Sequence, residues 1–502
     1  MKLKNKFTKI TQYFLLLSYA FSLSLAQAPD TLWTRTYGGD REDIGYSVQE
    51  TADGGYIIVG STRSFGPGTP SYPNVYIVKT DASGDTLWTK TYGRDYYDHG
   101  RSIIQAFDGG YVVAGFTYSF PPWESDVYLI RTDTNGDTLW IKRYGGDKID
   151  RSYSIQETSD SGYILTGYTY SPPADCCDVY LIKTDNDGDS LWTMVYGGSN
   201  VDRGYSVRQT SDGGYIIVGE TWSFGAGFID VFLIKTDVNG DTLWTRTYGG
   251  TDVDRGYSVQ QTSDGGYIIV GETWSFVPDR NDVWLIKTDA NGDTLWTKTY
   301  GDLNDDVGYS VQQTCDEGYI IAGYTRDYTT SDYYAYLIRV DSLGDTIWTE
   351  KYGYGGLNDA WSYDVKQTPD GGYVLVGRIT GISDPWGDVY LIKIAPDTLS
   401  IEEKSFINQI LMPINVFPNP FSKMTNIRFS LEQSAKSIEL KIYDATGRVI
   451  KDIPHLTLDA LRPTQISWDG TNHANQRLPS GVYFLKFKAG DYEETKKLLL
   501  LR

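Results

Sequence analysis

Asp241-Thr-Leu-Trp-Thr-Arg-Thr-Tyr-Gly-Gly250, Gly256-Tyr-Ser-Val-Gln-Gln-Thr262, Gly265-Gly-Tyr-Ile-Ile-Val-Gly271 and Asp282-Val-Trp-Leu-Ile-Lys-Thr-Asp289 follow one another along the chain, and each reads as a strand. Ser263-Asp264-Gly265-Gly266 turns the second segment into the third. Asp289-Ala290-Asn291-Gly292-Asp293 turns the fourth into the next Trp strand. Asp-Gly and Asn-Gly between apolar runs are strong hairpin signals, because Gly and Asn tolerate the positive φ that such turns demand. The four segments therefore form an antiparallel meander.

The meander repeats. Trp33, Trp88, Trp140, Trp192, Trp244, Trp296 and Trp348 are separated by 55 residues once and by 52 thereafter, which makes seven copies. Repeats of this length made of four strands indicate the blades of a propeller. In Tyr267-Ile-Ile-Val270 and Val283-Trp-Leu-Ile286 the apolar run is continuous, so both sheet faces are buried. A blade packed between two neighbours has that property, whereas a solvated sheet would alternate. The strand around Tyr257-Ser-Val-Gln260 is more polar, with Ser recurring at 47, 102, 154, 206, 258 and 310 and Asp364 in the seventh copy. It suits the innermost position beside a wet central channel. A parallel β-helix would need shorter coils.

The last copy stops after Asp388-Val-Tyr-Leu-Ile-Lys393 without its Trp strand, and the first strand of the chain, 31–37, is a Trp strand. The phase predicts that 31–37 completes the seventh blade as its outermost strand. Both short turns then lie on one face of the disk, and the longer, variable connections lie on the other. Function concentrates on variable loops. The loop candidates for a ligand are Trp123, Trp222, Trp274 and Trp386, which could stack on a sugar, with Asp254, Asp305 and Asp359 as hydrogen-bonding partners. Trp222 and Trp274 share a repeated Thr-Trp-Ser-Phe and can equally be read as packing residues.

Catalytic chemistry has little support. The chain has three histidines, His99, His455 and His473, and nothing near His99 marks a nucleophile. Histidine metal sites are equally poor. Asp81/Asp85 and their equivalents up to Asp341/Asp345 bracket each turn before the Trp strand, but they offer calcium too few oxygens and fit neither the EF-hand loop nor the sialidase Asp-box. They read as capped turns; calcium there is the minor alternative, and no cofactor is expected. Cys176, Cys177 and Cys315 form no disulfide framework. The expected function is a non-enzymatic module for a glycan, protein or matrix ligand. The alternative is a secreted carbohydrate-active enzyme, should two loop carboxylates face each other 5–9 Å apart.

Charge is uneven. Residues 30–412 carry 28 basic and 56 acidic residues, which argues against nucleic acid as a partner. A monomer is expected. Residues 1–28 read as a signal peptide: Lys2, Lys4, Lys6 and Lys9, an apolar core at 13–25, and Ala26-Gln27-Ala28 for cleavage after Ala26 or Ala28. The propeller is assigned to 30–397, a linker to 398–412 and a separate unit, with the alternation of a small sandwich, to 413–502.

Two resemblances add to this reading. Gly-Gly-Tyr-Ile-Ile-Val-Gly and Thr-Asp-x-Asn-Gly-Asp loosely resemble the delta-60 type of bacterial propeller repeat, which implies a fold and no activity. The C-terminal unit resembles the type A sorting domain of the type IX secretion system. The matching residues are Phe417-Pro418-Asn419-Pro420-Phe421, Ile442-Tyr443-Asp444 with Gly447-Arg448-Val449, Trp468-Asp469-Gly470, Leu478 through Gly481, Val482, Tyr483 and Phe484, and Lys496-Lys497 before the apolar end. That resemblance implies passage across the outer membrane, removal of the domain, and release or attachment at the cell surface, with the secretion machinery as partner. An immunoglobulin-like adhesive module sharing Trp-Asp-Gly and Gly-Val-Tyr is the alternative.

Overall fold

The computed structural model describes residues 27–118, 124–174, 176–277, 280–302, 304–353, 359–381 and 385–397, and in the C-terminal unit 415–417, 421, 424–429, 438–444, 447–452, 464–473, 476–489 and 492–501. The apolar core of the predicted signal peptide and the predicted linker lie outside these residues. Seven four-stranded antiparallel sheets make up residues 31–394. The first blade contains Asp43–Glu50, Tyr56–Thr62, Asn74–Thr80 and Thr86–Tyr92, from the inner strand to the outer. Later blades begin at Asp98, Asp150, Asp202, Asp254, Asp306 and Ala360. The predicted unit thus straddles two blades: its Trp strand ends one and its other three strands begin the next.

The ring closes as the phase predicts. Thr31–Tyr37 pairs antiparallel with Asp388–Ile394, with Trp33 opposite Lys393 and Tyr37 opposite Val389, as the outer strand of the seventh blade. Every residue of Tyr267–Thr273 is buried, which explains the continuous apolar run. Ile268, Val270 and Leu285 of the fifth blade share one apolar cluster with Tyr319, Ile321 and Ile338 of the sixth. Two glycines show how tight this is. A Cβ on inner-strand Gly256 would lie 2.7 Å from Val218 of the preceding blade, and one on Gly271 would lie 1.7 Å from the Arg255 carbonyl. Real Cβ contacts do not come that close, so Gly271 admits no side chain against that carbonyl, and at the position of Gly256, Ser152 and Ser362 occur only where the preceding blade has Ala114 or Ala322 in place of Val218.

The tryptophan that sets the period is the knob between blades. Trp33, Trp88, Trp140, Trp192, Trp244, Trp296 and Trp348 each lie 5.8–6.4 Å from the tyrosine that opens the second strand of the following blade, with T-shaped or tilted rings. Within each blade a cation on the third strand bonds the hairpin aspartate, as Lys287 does with Asp264 at 2.8 Å. The Lys287 side chain is almost wholly buried, so this contact satisfies a charge that the core would otherwise expel.

The C-terminal unit is a sandwich, as its alternation suggests. A three-stranded sheet (Asn415–Phe417, Thr425–Phe429, Thr464–Trp468) faces a four-stranded one (Val449–Asp452, Ile438–Asp444, Gly481–Ala489, Tyr492–Leu500). Ile427 and Trp468 of the first pack with Leu440, Ile442, Leu485, Phe487 and Leu498 of the second.

The closing junction gives a direct test. Trp33→Ala removes the knob between the last and first blades and should cost about 2–4 kcal/mol in urea denaturation. Leu32→Ala, one residue away on a side chain 53% exposed, should cost less than about 0.5 kcal/mol. Equal effects would mean that the Trp contact contributes nothing special to closure.

Candidate functional site

Compared column by column, the seven inner strands are nearly uniform. They begin with Asp in six copies, carry Gly or Ser third, Ser fifth in six, and Val or Ile sixth. The seventh, at the other end of the strand, is Gln in four copies and Ile104, Arg208 and Lys366 in the rest. The second residue varies most: Ile44, His99, Arg151, Arg203, Arg255, Val307 and Trp361. The register pairs it with an equally varied residue on the second strand, giving Ile44–Ser61, His99–Phe116, Arg151–Tyr168, Arg203–Glu220, Arg255–Glu272, Val307–Tyr324 and Trp361–Arg378. These pairs surround the axis at the end of the channel that carries the variable connections. An otherwise constant scaffold changes chemistry here from blade to blade.

Beneath that tier lies a constriction. A β-bulge in every inner strand leaves its fourth residue out of register, and a bulge re-aims the side chain it frees. Tyr153, Tyr205, Tyr257, Tyr309, Tyr363 and Tyr46 follow one another at centroid separations of 5.1–5.5 Å. Arg101 fills the remaining gap, 4.0 Å from the Tyr46 ring and 5.7 Å from Tyr153. The result is an iris of six tyrosines and one arginine. Deeper still, Asp364 accepts the Val48 N–H (3.1 Å) across the closing junction, as Ser47, Ser102, Ser154, Ser258 and Ser310 accept the equivalent N–H at theirs, and adds bonds from the Ser310 hydroxyl (2.9 Å) and Lys366 (2.5 Å).

The mouth above the iris is electrostatically divided. In the fourth and fifth blades Arg203 meets Glu220 at 2.8 Å, while Arg255 bridges Glu220 at 2.7 Å and Glu272 at 2.8 Å. Glu272 also accepts from the Tyr257 hydroxyl and from Asn281. At the junction of the seventh and first blades Arg378 and Arg63 share Glu42. In the second and third blades Arg101 and Arg151 make no ion pair among the described residues. They pack instead on Phe116, Tyr46 and Tyr168. Burial, followed by the charges of Arg101, Arg151 and Arg63, pushes the His99 imidazole well below its usual pKa, and its ring stacks on Phe116 at 4.8 Å.

The loop residues nominated from sequence do not form one constellation. Trp123 lies outside the described residues. Trp222, Trp274 and Trp386 are exposed on the loops of three different blades. Trp222 packs on Phe228 at 4.8 Å and Trp386 sits under Arg41 at 5.5 Å; no ring contact joins any two of these three. Asp254 requires correction as a ligand-facing carboxylate. It is fully buried and accepts from the Gly250 N–H (2.8 Å), the Ser275 hydroxyl (2.6 Å) and Thr273. Asp43 and Asp202 tie the same two loops together in their own blades, so this is an anchor built into the repeat. Asp305 accepts from the Tyr328 hydroxyl, and Asp359 accepts the Tyr333 N–H at 2.9 Å. The Asp81-type turns are capped: Asp289 Oδ1 accepts the Asn291 and Asp293 N–H groups at 2.8 and 2.9 Å. Clefts of 430 and 450 Å³ open between outer strands of the third and fourth blades and of the first and second, where the repeat recreates them, and neither reaches the axis. The varied pairs went unnoticed in the sequence because each looks like an ordinary polar strand position; aligning the copies on the inner strand would have exposed the column.

In the C-terminal unit the nominated sorting residues mostly shape turns and core. Trp468 is buried against Phe421 and Tyr483 and donates from Nε1 to the Thr471 carbonyl at 2.9 Å. Asp469 accepts from the Thr471 N–H and hydroxyl, and Gly447 and Gly470 take φ of 83° and 71°. Arg448 donates to Asp444 at 3.1 Å, and the Tyr483 hydroxyl to the Pro479 carbonyl at 2.9 Å. Gly481 opens the strand that crosses the sheet, while Lys496 is half-buried and Lys497 exposed on the last strand. Pro418, Asn419 and Pro420 lie outside the described residues. Residues 415–501 match the family described as the secretion system C-terminal sorting domain. The C-terminal unit is a type IX sorting domain. The chain is accordingly exported across the outer membrane, to the cell surface or the extracellular space.

Other similarities are more distant. The chain is 26% identical over 198 residues to regulatory protein FlaEY of Caulobacter vibrioides, a stretch covering 34% of this chain and 20% of that protein, so it spans a fifth of that relative. Among solved structures it is similar to PorZ, a surface component of the type IX secretion system of Porphyromonas gingivalis (11% identity, TM-score 0.33, covering 90% of this chain and 69% of PorZ). It is also similar to the propeller domain of the trilobed protease from Pyrococcus furiosus (9% identity, TM-score 0.39, covering 70% and 94%).

Two predictions follow from the site's electrostatics. Glu220 is almost wholly buried between two arginines, so Glu220→Ala should cost about 2–4 kcal/mol in urea denaturation, and a loss under about 0.5 kcal/mol would show the network idle. Burial raises Glu50 and Glu157 to about 7, and burial with neighbouring acids raises Asp282 to about 6 and Asp306 to about 7. These groups bind protons more tightly folded than unfolded, so their contribution to stability grows as pH falls from about 8 to 5. Asp264, lowered to about 2 with Lys287 among its partners, works the other way and costs stability only below about pH 4. The melting temperature should therefore peak between about pH 4 and 6. Asp306→Asn should flatten the rise, and a steady fall from pH 8 to 5 would contradict it.

Proposed function

We propose that the chain is a non-enzymatic binding module of the cell surface or extracellular space, and that its propeller takes a ligand at the mouth of the central channel, above the tyrosine iris. The observation that carries this reading is the varied second-residue column. Seven copies keep their packing residues and exchange Ile, His, Arg, Val and Trp at the tier that surrounds the axis at this end of the channel. Packing does not demand such variety, whereas an asymmetric ligand does. The exposed Trp222, Trp274 and Trp386 lie on the same face and would extend the contact outward.

An acid-dependent glycosidase needs two carboxylates free to face the substrate. At the mouth Glu220 and Glu272 are spent on Arg203, Arg255, Tyr257 and Asn281, which favours binding over catalysis. The secretion machinery is the partner of the sorting domain, and the ligand of the propeller is a separate matter.

The test uses the mature chain against immobilised neutral and acidic polysaccharides, collagen and fibronectin. Trp361→Ala at the mouth should weaken whichever interaction is found by at least about tenfold, a loss of about 1.4 kcal/mol. Phe107→Ala, 63% exposed on a hairpin of the opposite face, should leave it unchanged. The reverse pattern would move the site to the hairpin face.

A further inference from the structure

We infer that the mouth recognises an acidic saccharide, an oligosaccharide whose carboxylate or sulfate is held between Arg101 and Arg151. This rests on the reading of the mouth as the ligand site and gives that site a substrate class.

A counterion is missing at this end of the channel. Arg203, Arg255 and Arg378, in the tier of varied pairs, and Arg63 just beyond it are each supplied with a carboxylate by the fold. Arg151 in that tier and Arg101 in the iris directly beneath it make no ion pair among the described residues, although residues 30–412 carry twice as many acids as bases. In so acidic a chain, two guanidiniums without an acid beside them stand apart from the other arginines at the mouth. Both lie over one ring, Phe116, at 5.5 and 4.5 Å, so one aromatic side chain contacts both charges. Arg101 Nε is shielded from solvent and has no hydrogen-bond partner among the described residues. Arg151 spends donors only on the neutral hydroxyls of Tyr118 and Ser125. The neutral His99 beside them adds an imidazole whose buried Nδ1 is likewise unpartnered. Guanidiniums that the fold leaves without a carboxylate are what an oxyanion requires, and guanidinium forks match the geometry of carboxylate and sulfate.

The rest of the pocket identifies a sugar. The half-buried Tyr46 and Tyr153 flank the Arg101 guanidinium, and aromatic rings beside charged donors suit the C–H face of a pyranose with an acidic substituent. The iris directly below narrows the channel, so the ligand enters as a chain end or branch and does not thread through. The net charge points the same way. A dense polyanion would be repelled by the acidic disk, whereas an oligosaccharide presenting one acidic group meets only the cationic sector.

The experiment is calorimetric titration of the mature chain with an otherwise neutral trisaccharide ending in a single glucuronate, its methyl ester, the neutral trisaccharide bearing a single sulfate, and penta-glutamate. The glucuronate or the sulfated sugar should bind, and whichever binds more tightly names the oxyanion. The ester should bind at least about tenfold more weakly than the free acid where the acid binds, and penta-glutamate should not compete. Arg101→Gln and Arg151→Gln should each weaken binding at least about tenfold, while Arg203→Gln, in the neutralised sector, should change it less than about threefold. A melting curve and a far-ultraviolet spectrum of each variant separate lost recognition from lost fold. Equal binding of acid and ester, preference for the peptide, insensitivity to the two arginines, or no binding by either acidic sugar each overturns the inference. Binding of the ester that Trp361→Ala still abolishes would overturn the charge assignment and leave the mouth as the site. Binding unaffected by any of these mouth variants would remove both.

Discussion

Everything in this ring depends on one contact repeated seven times: the outer-strand tryptophan of each blade against the first tyrosine of the next blade's second strand. A blade alone would expose two apolar sheet faces, so no copy is stable until its neighbour covers it. The tryptophan covers the outer end of each junction. Four residues along the same strand, Tyr248 and five of its six equivalents, all but Tyr352, lock the junction by donating to the glycine carbonyl of the next blade's turn, at 2.6 Å from Tyr248 to Gly292. Because the last copy lacks this strand, the chain must borrow it from its own start. Trp33 then makes across the closure the contact that Trp88 to Trp348 make elsewhere, so the closing junction packs like the other six.

Once the ring is fixed, the inner strands have a problem of their own. Their free edges converge on the axis with no strand to pair with. Side chains from the preceding blade answer it: the Gln105, Gln209, Gln313 and Gln367 N–H groups donate to the side-chain carbonyls of Gln49, Gln156, Gln260 and Gln312. Ile104, Arg208 and Lys366 occupy that acceptor position in the second, fourth and seventh blades, so the ladder is not complete. Paired in this way, the edges are unavailable to an incoming strand, and recognition at the axis passes to the side chains above them.

The sequence disclosed the architecture because the architecture is periodic. Strand number, phase, closure and the turn types each left a signal every 52 residues, and the structure agrees with them. The site left none of that kind. Asp254 looked like a loop carboxylate because it follows a variable connection, yet it is the first residue of a strand and turns inward to anchor two loops. Arg203 and Glu220 are 17 residues apart and become partners only through a register that a one-residue bulge displaces. Arg101 reads as an exposed polar residue until the bulge sets it among the tyrosines. In each case the decisive fact was which neighbour the pleat chose, and composition does not carry that.

The charge of the chain shows the same distinction most sharply. An excess of acids over residues 30–412 suggests a surface that seeks cations. Much of that acidity is internal carpentry. Each of the seven blades spends one aspartate on a buried cation of its third strand, from Asp53 with Lys79 to Asp370 with Lys393. Asp289 and its equivalents cap turns, and Asp293, Asp345 and others reach exposed cations on the preceding blade, where each pair is worth little. Carboxylates committed in this way reveal how the ring is assembled and say nothing about what it binds. The charge that bears on a ligand is the part the fold leaves uncompensated, and around the axis that part is positive. A surface whose long-range field repels anions while its recess lacks two counterions is selective by construction: it discourages polyanions at a distance and rewards a single acid group that reaches the mouth.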